Sequence, residues 1–285
     1  MPDFPIVDSH VHLYDPRAIS YPWMQGEPTL DAVHDVAVFN TATAPVLVDK
    51  IVFIEVAAPD DKSLAELDWV EGAAKAEPRI QGIVANIALE RGKDIASDVA
   101  AFARRPLARG VRRLIQGHLD EPGWCLQPGY LDGVRIVGEY GLGCEICVKH
   151  PQMADIIRLA AQFPHVRFVL NHIGKPGIKD GLVEPWRAEI GELAQLPNVL
   201  CKISGVVTEA DFKSWTYDEV APYIARAIES FGFDRVMFGG DWPVLELAGN
   251  YPGWVSIVDR VIAGASDSEQ RKLFRDNAIR HYRLA

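Results

Sequence analysis

Two short stretches at opposite ends of the chain hold residues that can do chemistry together. Ile6-Val7-Asp8-Ser9-His10-Val11-His12-Leu13 lies near the start, and Val236-Met237-Phe238-Gly239-Gly240-Asp241-Trp242-Pro243 lies near the end. Each reads as a short apolar strand that ends in polar groups. Side chains two apart on a strand share a face, so His10 and His12 project together. Asp241 ends the other strand. Two imidazoles and a carboxylate meeting at one rim make a site for a metal-bound water or for acid–base work.

The elements that must position them recur along the whole chain. Strand-like runs fall at 6–13, 51–56, 80–87, 110–115, 142–148, 166–172, 199–204 and 236–241. Helical patterns lie between most of them, at 63–76, 94–104, 130–140, 153–163, 185–196, 218–231 and 254–263. This alternation indicates parallel βαβ units. Eight of them predict an α/β fold, a single-domain (β/α)8 TIM-like barrel over residues 1–285, with a final helix at about 268–281 packed outside. A closed barrel brings the first and last strands side by side. The long excursion at about 14–49 would sit over the C-terminal rim, where Tyr21-Pro22-Trp23 is a candidate pocket wall.

Strand parity then selects inward residues. The outer face of each strand packs on helices and should be apolar, while the inner face at the C-terminal end carries chemistry. Val52, Ile54 and Val56 suit the outside, which sends Glu55 in. The same test sends in Asn86, Glu145, Cys147, Lys202, Ser204 and Asp241. Arg112 follows on strand four, although Arg113 beside it breaks the pattern. His172 ends strand six, which is apolar on both faces, and His150 after strand five matches the outward set. The inward polar groups must pair with one another, a metal, water or a substrate.

Composition bounds the function. With 48% hydrophobic and 24% charged residues, the 285-residue chain can bury a large core. A net charge of −10 and no basic patch argue against nucleic acid as partner. No apolar run is long enough to span a bilayer and no signal peptide is visible, so a cytoplasmic protein with no membrane partner is expected. Cys125, Cys144, Cys147 and Cys201 form no disulfide or zinc-finger framework. The CxxC at 144 and 147 lies in a predicted strand, where positions three apart face opposite sides, and reads as core thiols.

The pattern resembles the amidohydrolase superfamily, and more narrowly its sugar-lactonase branch of L-fucono-, L-rhamnono- and 2-pyrone-4,6-dicarboxylate lactonases. Asp8-Ser9-His10-Val11-His12, Asn171-His172-Ile173-Gly174-Lys175-Pro176, Lys202-Ile203-Ser204-Gly205 and Gly240-Asp241-Trp242-Pro243 carry the resemblance. It implies that His10, His12 and Asp241 bind one divalent metal, zinc first, and that Asp241 activates water. The branch includes members that work without a metal, so a metal-free site stays open. Strand four has no lysine to bridge a second ion, and Lys149 is not a clear match.

The expected reaction is hydrolysis of an aldono-lactone, a small-molecule sugar-acid lactone, to the free acid. Asp241 would take the proton from water, and His172 or Lys202 would polarise the carbonyl. Glu55, Asn86, Arg112 and Glu145 suit the hydroxyls of a sugar, and Trp23 and Trp242 could stack on its ring. The alternatives are a metal-dependent decarboxylase of the same superfamily, which needs an inward histidine on strand five, and a non-catalytic sugar-acid binding protein.

Overall fold

The computed structural model describes all 285 residues. Eight strands pair in sequence order, all parallel: β1 (Ile6–Val11), β2 (Val48–Ile54), β3 (Ile80–Asn86), β4 (Ala108–Arg112), β5 (Gly143–Ile146), β6 (Phe168–Leu170), β7 (Val199–Ser204) and β8 (Val236–Gly239). The barrel closes between β8 and β1 at its upper end. There the Asp241 N–H donates to the His10 carbonyl at 2.8 Å and the His12 N–H to the Trp242 carbonyl at 2.9 Å. The expected single-domain (β/α)8 barrel is therefore the observed fold.

Outward side chains such as Ile51, Phe53, Ile83, Val111, Ile146 and Ile203 join the large core under the helices. Inward Val7, Val52, Ile54, Val84, Val169 and Met237 pack with Tyr282 and Leu284 of the C-terminal segment. That segment plugs the N-terminal mouth, where the Ala285 N–H reaches the Gln81 side chain at 3.0 Å. The predicted final helix is present in three joined pieces, Asp267–Arg271, a wide turn Lys272–Asp276 and Asn277–Tyr282.

One expectation needs correction. On β2, Val52 and Ile54 point inward and Ile51 and Phe53 outward, the reverse of the predicted parity. Both faces of a parallel strand are buried, so hydrophobicity does not distinguish them. On β1 the register slips between Asp8, paired with Ile51, and Val11, paired with Phe53. This bulge lets inward Val7 and inward His10 share a strand with outward Asp8. Asp8 accepts from Tyr251 Oη at 2.8 Å and from the Gly240 N–H at 2.8 Å, tying β1 to β8. Its burial pushes the carboxyl up to about 6.

The excursion after β1 folds back over the rim. Tyr14 bridges to His34, and Tyr14 Oη donates to the Leu30 carbonyl at 2.9 Å. It also carries a helix that the sequence reading did not anticipate, Val36–Thr43, begun by Asp35, whose side chain accepts from Ala37 and Val38. No helix of the protein is long and apolar enough to cross a membrane.

Candidate active site

The strand ends surround a cavity of about 420 Å³ at the C-terminal mouth. Its floor holds His12, Arg112, His172, Lys175 and Asp241. Its upper wall is apolar, built from Met24, Leu30, Val244 and Leu247 with Trp23 beside them.

Asp241 has a left-handed backbone, φ 58°. Its amide and carbonyl are both engaged, the latter by the Leu245 N–H at 2.9 Å. Gly205, also left-handed at φ 56°, leaves the space that the carboxylate fills, because a Cβ there would fall 2.3 Å from Asp241 Oδ2. Three histidines face this carboxylate: His12 Nε2 at 3.3 Å, His10 Nε2 at 3.6 Å and His172 Nδ1 at 3.7 Å. Burial alone would raise its pKa, but His172, His12 and Lys175 outweigh burial and hold it at about 2. Asp241 is ionised at neutral pH.

His172 opens a run of four left-handed residues, with φ 52° at His172, 49° at Ile173, 75° at Gly174 and 47° at Lys175. A non-glycine residue in this region costs about 1–2 kcal/mol, and a β-branched one such as Ile173 is a genuine outlier. Such strain persists only where the surroundings over-determine it. Here Trp186 Nε1 donates to the Ile173 carbonyl at 2.8 Å, and the His172 N–H reaches Ser204 Oγ at 3.3 Å. This turn also cuts β6 to three residues, shorter than the predicted 166–172. Burial lowers the His172 imidazole to about 3, so it is neutral at neutral pH.

The other expected site residues separate into two groups. Trp23 and Arg112 line the cavity. Arg112 is aimed by Glu55, which accepts from its Nε and, through the backbone carbonyl, from its Nη2 at 2.6 Å. Glu55 is thus engaged with Arg112 and the Ala57 N–H rather than lining the cavity. Asn86 anchors the loop after β2, donating to the Ala58 carbonyl at 3.3 Å and to Ser63 Oγ at 3.2 Å. Glu145 and Lys202 form an ion pair at 2.8 Å inside the barrel, with Tyr282 and Asn171 donating to the same carboxylate. Trp242 is fully buried behind the rim, its indole N–H on Glu246 at 2.7 Å and its ring edge-on to His34 and Phe39. None of Asn86, Glu145, Lys202 and Trp242 lines the cavity. Parity tells inward from outward but not depth, so the mid-barrel pair 145–202 looked the same as rim residues. Arg113, the apparent break in strand four, faces outward to Asp60 and Glu90. The four cysteines are buried and unpaired, and Cys147 touches the cavity.

Sequence reasoning missed Lys175, Gln116, Tyr14 and the apolar wall as cavity residues. Lys175 had a signal, since it follows His172 within a motif at the C-terminal end of a strand. The wall residues come from loops, whose path no periodicity reports.

His10, His12 and Asp241 bring ligand atoms within 4.8 Å of one another. His12 fits a metal well. Its Nδ1 faces the Ile54 carbonyl at 3.0 Å and so carries the proton. With Nδ1 so engaged, Nε2 is the ring nitrogen left to a metal, on the side of Asp241 Oδ1 at 3.3 Å. His10 is held more tightly, with Arg112 Nη1 at 3.3 Å from Nε2 and Lys202 Nζ at 3.4 Å from Nδ1. Burial, then the Lys202 charge, keeps its imidazole neutral, as a ligand must be.

The closed parallel barrel carries His10 on its first strand, His12 just past it and Asp241 just past its last strand, all at the C-terminal mouth, the face on which β/α-barrel enzymes build their sites. The family profile described as Amidohydrolase matches residues 7–284, and the chain belongs to that family. An uncharacterized protein, y4mH, of Sinorhizobium fredii is 31% identical over 100% of both chains. An L-fucono-1,5-lactonase of Burkholderia multivorans is 30% identical over 98% of this chain and 96% of its own. A crystal structure of an amidohydrolase from Burkholderia multivorans with bound zinc superposes with a TM-score of 0.89 at 29% identity, covering 99% of this chain and 100% of that one.

Proposed function

We propose that the protein hydrolyses a sugar-acid lactone, an aldono-lactone, to the free acid. The observation that carries this reading is the ionised Asp241 faced by three histidines at the floor of a cavity of about 420 Å³. The lactonase relatives support the choice of a cyclic ester. Asp241 takes the proton of a water as that water adds to the acyl carbon. The ring C–O bond then breaks, and Asp241 returns the proton to the leaving oxygen. Arg112 and His172 stand beside the place where acyl oxygen charge develops. A divalent ion, zinc by analogy with the Burkholderia structure, would be held by His10, His12 and Asp241 and would supply a more acidic water.

A carboxylate with pKa about 2 is a weak base toward bulk water, which suits an activated ester better than an amide. The apolar wall of Met24, Leu30, Val244 and Leu247 suits a deoxy sugar, of the fuconic or rhamnonic series, over a fully hydroxylated one. The decarboxylase alternative finds no support, because His150 lies in a neighbouring cavity and not at this floor.

A panel of aldono-lactones assayed by proton release, with and without chelator, tests the reading. L-fucono- and L-rhamnono-lactones should be opened fastest. Failure of the folded, metal-supplemented protein to open any lactone of the panel would overturn it.

A further inference from the structure

Lys175 is the ammonium that reaches the catalytic cavity. Lys202, expected from the sequence to polarise the carbonyl, is fully buried below His10 and donates to both Glu145 oxygens, at 3.0 and 2.8 Å. Lys175 stands where two cavities meet. It lines the catalytic one and also a neighbouring cavity of about 640 Å³ beside Glu209. Its Nζ lies 3.7 Å from Glu209 Oε1.

Two features aim this side chain. The left-handed run from His172 to Lys175 turns the chain sharply at the top of β6. Glu209 then holds the ammonium from the far side, at the end of the turn Val206–Glu209, whose carbonyl accepts from the Lys179 N–H at 3.0 Å and joins the two loops. Burial presses the ammonium toward neutrality, but Cys147, Glu209 and Asp241 outweigh it and raise its pKa. A charged donor thus faces a cavity with an apolar wall, where its field is weakly screened.

We propose that Lys175 is a catalytic residue that donates a hydrogen bond to the acyl oxygen of the lactone as that oxygen becomes an oxyanion, and that Glu209 is the positioning residue that aims it. This rests on the lactonase reading. Water adds to the acyl carbon while Asp241 removes its proton. The carbonyl electron pair moves onto the acyl oxygen, opposite the Lys175 charge. The pair returns as the ring C–O bond breaks, and the departing oxygen takes the proton from Asp241. Lys175 stays protonated throughout. The ground-state carbonyl is neutral and the intermediate is anionic, so the contact strengthens where it accelerates the reaction.

The test compares Lys175→Met, Lys175→Arg and Glu209→Gln with the wild type. Steady-state rates on the best lactone of the panel are paired with calorimetric binding of L-fuconate, a carboxylate, and of 1,5-anhydro-L-fucitol, a neutral ring without the acyl oxygen. Lys175→Met should lose about 100-fold or more in kcat, the range for one oxyanion donor. It should bind L-fuconate about tenfold more weakly and the neutral ring unchanged, with Lys175→Arg between. Glu209→Gln should lower kcat with KM little changed, and adding it to Lys175→Met should cost nothing more. A Lys175→Met protein within threefold of wild-type kcat, or one that loses both ligands equally, would overturn the proposal. A wild type that opens no lactone defeats the lactonase reading instead. Lys175 is then judged on L-fuconate alone, and unchanged or absent binding counts against it.

Discussion

Gly205 and Asp241 are fitted to each other so closely that a Cβ on the glycine would lie 2.3 Å from the carboxylate oxygen Oδ2. The glycine on one strand end is therefore the seat of the carboxylate on the next. Gly205→Ala sets a side chain at a left-handed position, φ 56°, against the Asp241 side chain, so it is judged only where thermal melts show it folded. Folded, it should lower kcat by about 100-fold, as Asp241→Asn should, the low end for loss of a general base. Thermal melts with kcat check both: near-normal turnover in folded Asp241→Asn would remove Asp241 from the base role, and in folded Gly205→Ala would show that this close fit does not set the carboxylate's position.

Metal content follows from tautomers. His12 presents a free Nε2 toward Asp241 because its Nδ1 is engaged by the Ile54 carbonyl. Purified His12→Ala protein should lose the divalent ion that elemental analysis finds in the wild type, with its melting profile kept by the unchanged barrel core. Equal metal in the two proteins would place any ion elsewhere.

Lys202 is expected to matter for stability. It and Glu145 are both within 2% of complete burial, and Tyr282 donates to the same carboxylate. Lys202→Met leaves an unpaired buried carboxylate, which costs about 3–5 kcal/mol. The double variant Lys202→Met/Glu145→Leu should recover much of that loss. Denaturant unfolding measures both, and a double variant no more stable than the single one would mean the pair is not the source of the loss.

The acid limb of stability should carry the mark of His281. Burial, then Arg167, lowers its imidazole from 6.5 to about 3 in the folded chain. Between those values the unfolded chain takes up a proton that the folded chain refuses. The stabilisation is therefore whole above 6.5 and falls as the pH drops toward 3, by up to about 1.4 kcal/mol per pH unit. His172, lowered similarly, shares this limb. His281→Gln should flatten it by about one proton in urea titrations between pH 4 and 6.5, and an unchanged slope would contradict the assignment.

The sequence by itself determined the barrel and the meeting of its ends. Alternating strand and helix patterns are local, and eight of them close in one way, so His10, His12 and Asp241 converge without any knowledge of packing. Period-two alternation also separated inward Lys202 and Glu145 from outward Cys201 and Cys144. The tertiary structure decided depth, and with it the contents of the cavity. Lys202 and Glu145 lie below the rim, where the barrel interior makes them each other's partner. Asn86 turns to a loop, and Trp242 turns back under the excursion. Lys175 enters because four left-handed residues, held by Trp186 and Ser204, bend the chain after β6. Neither depth nor such strain leaves a period in the sequence, because both are set by contacts between residues far apart along the chain.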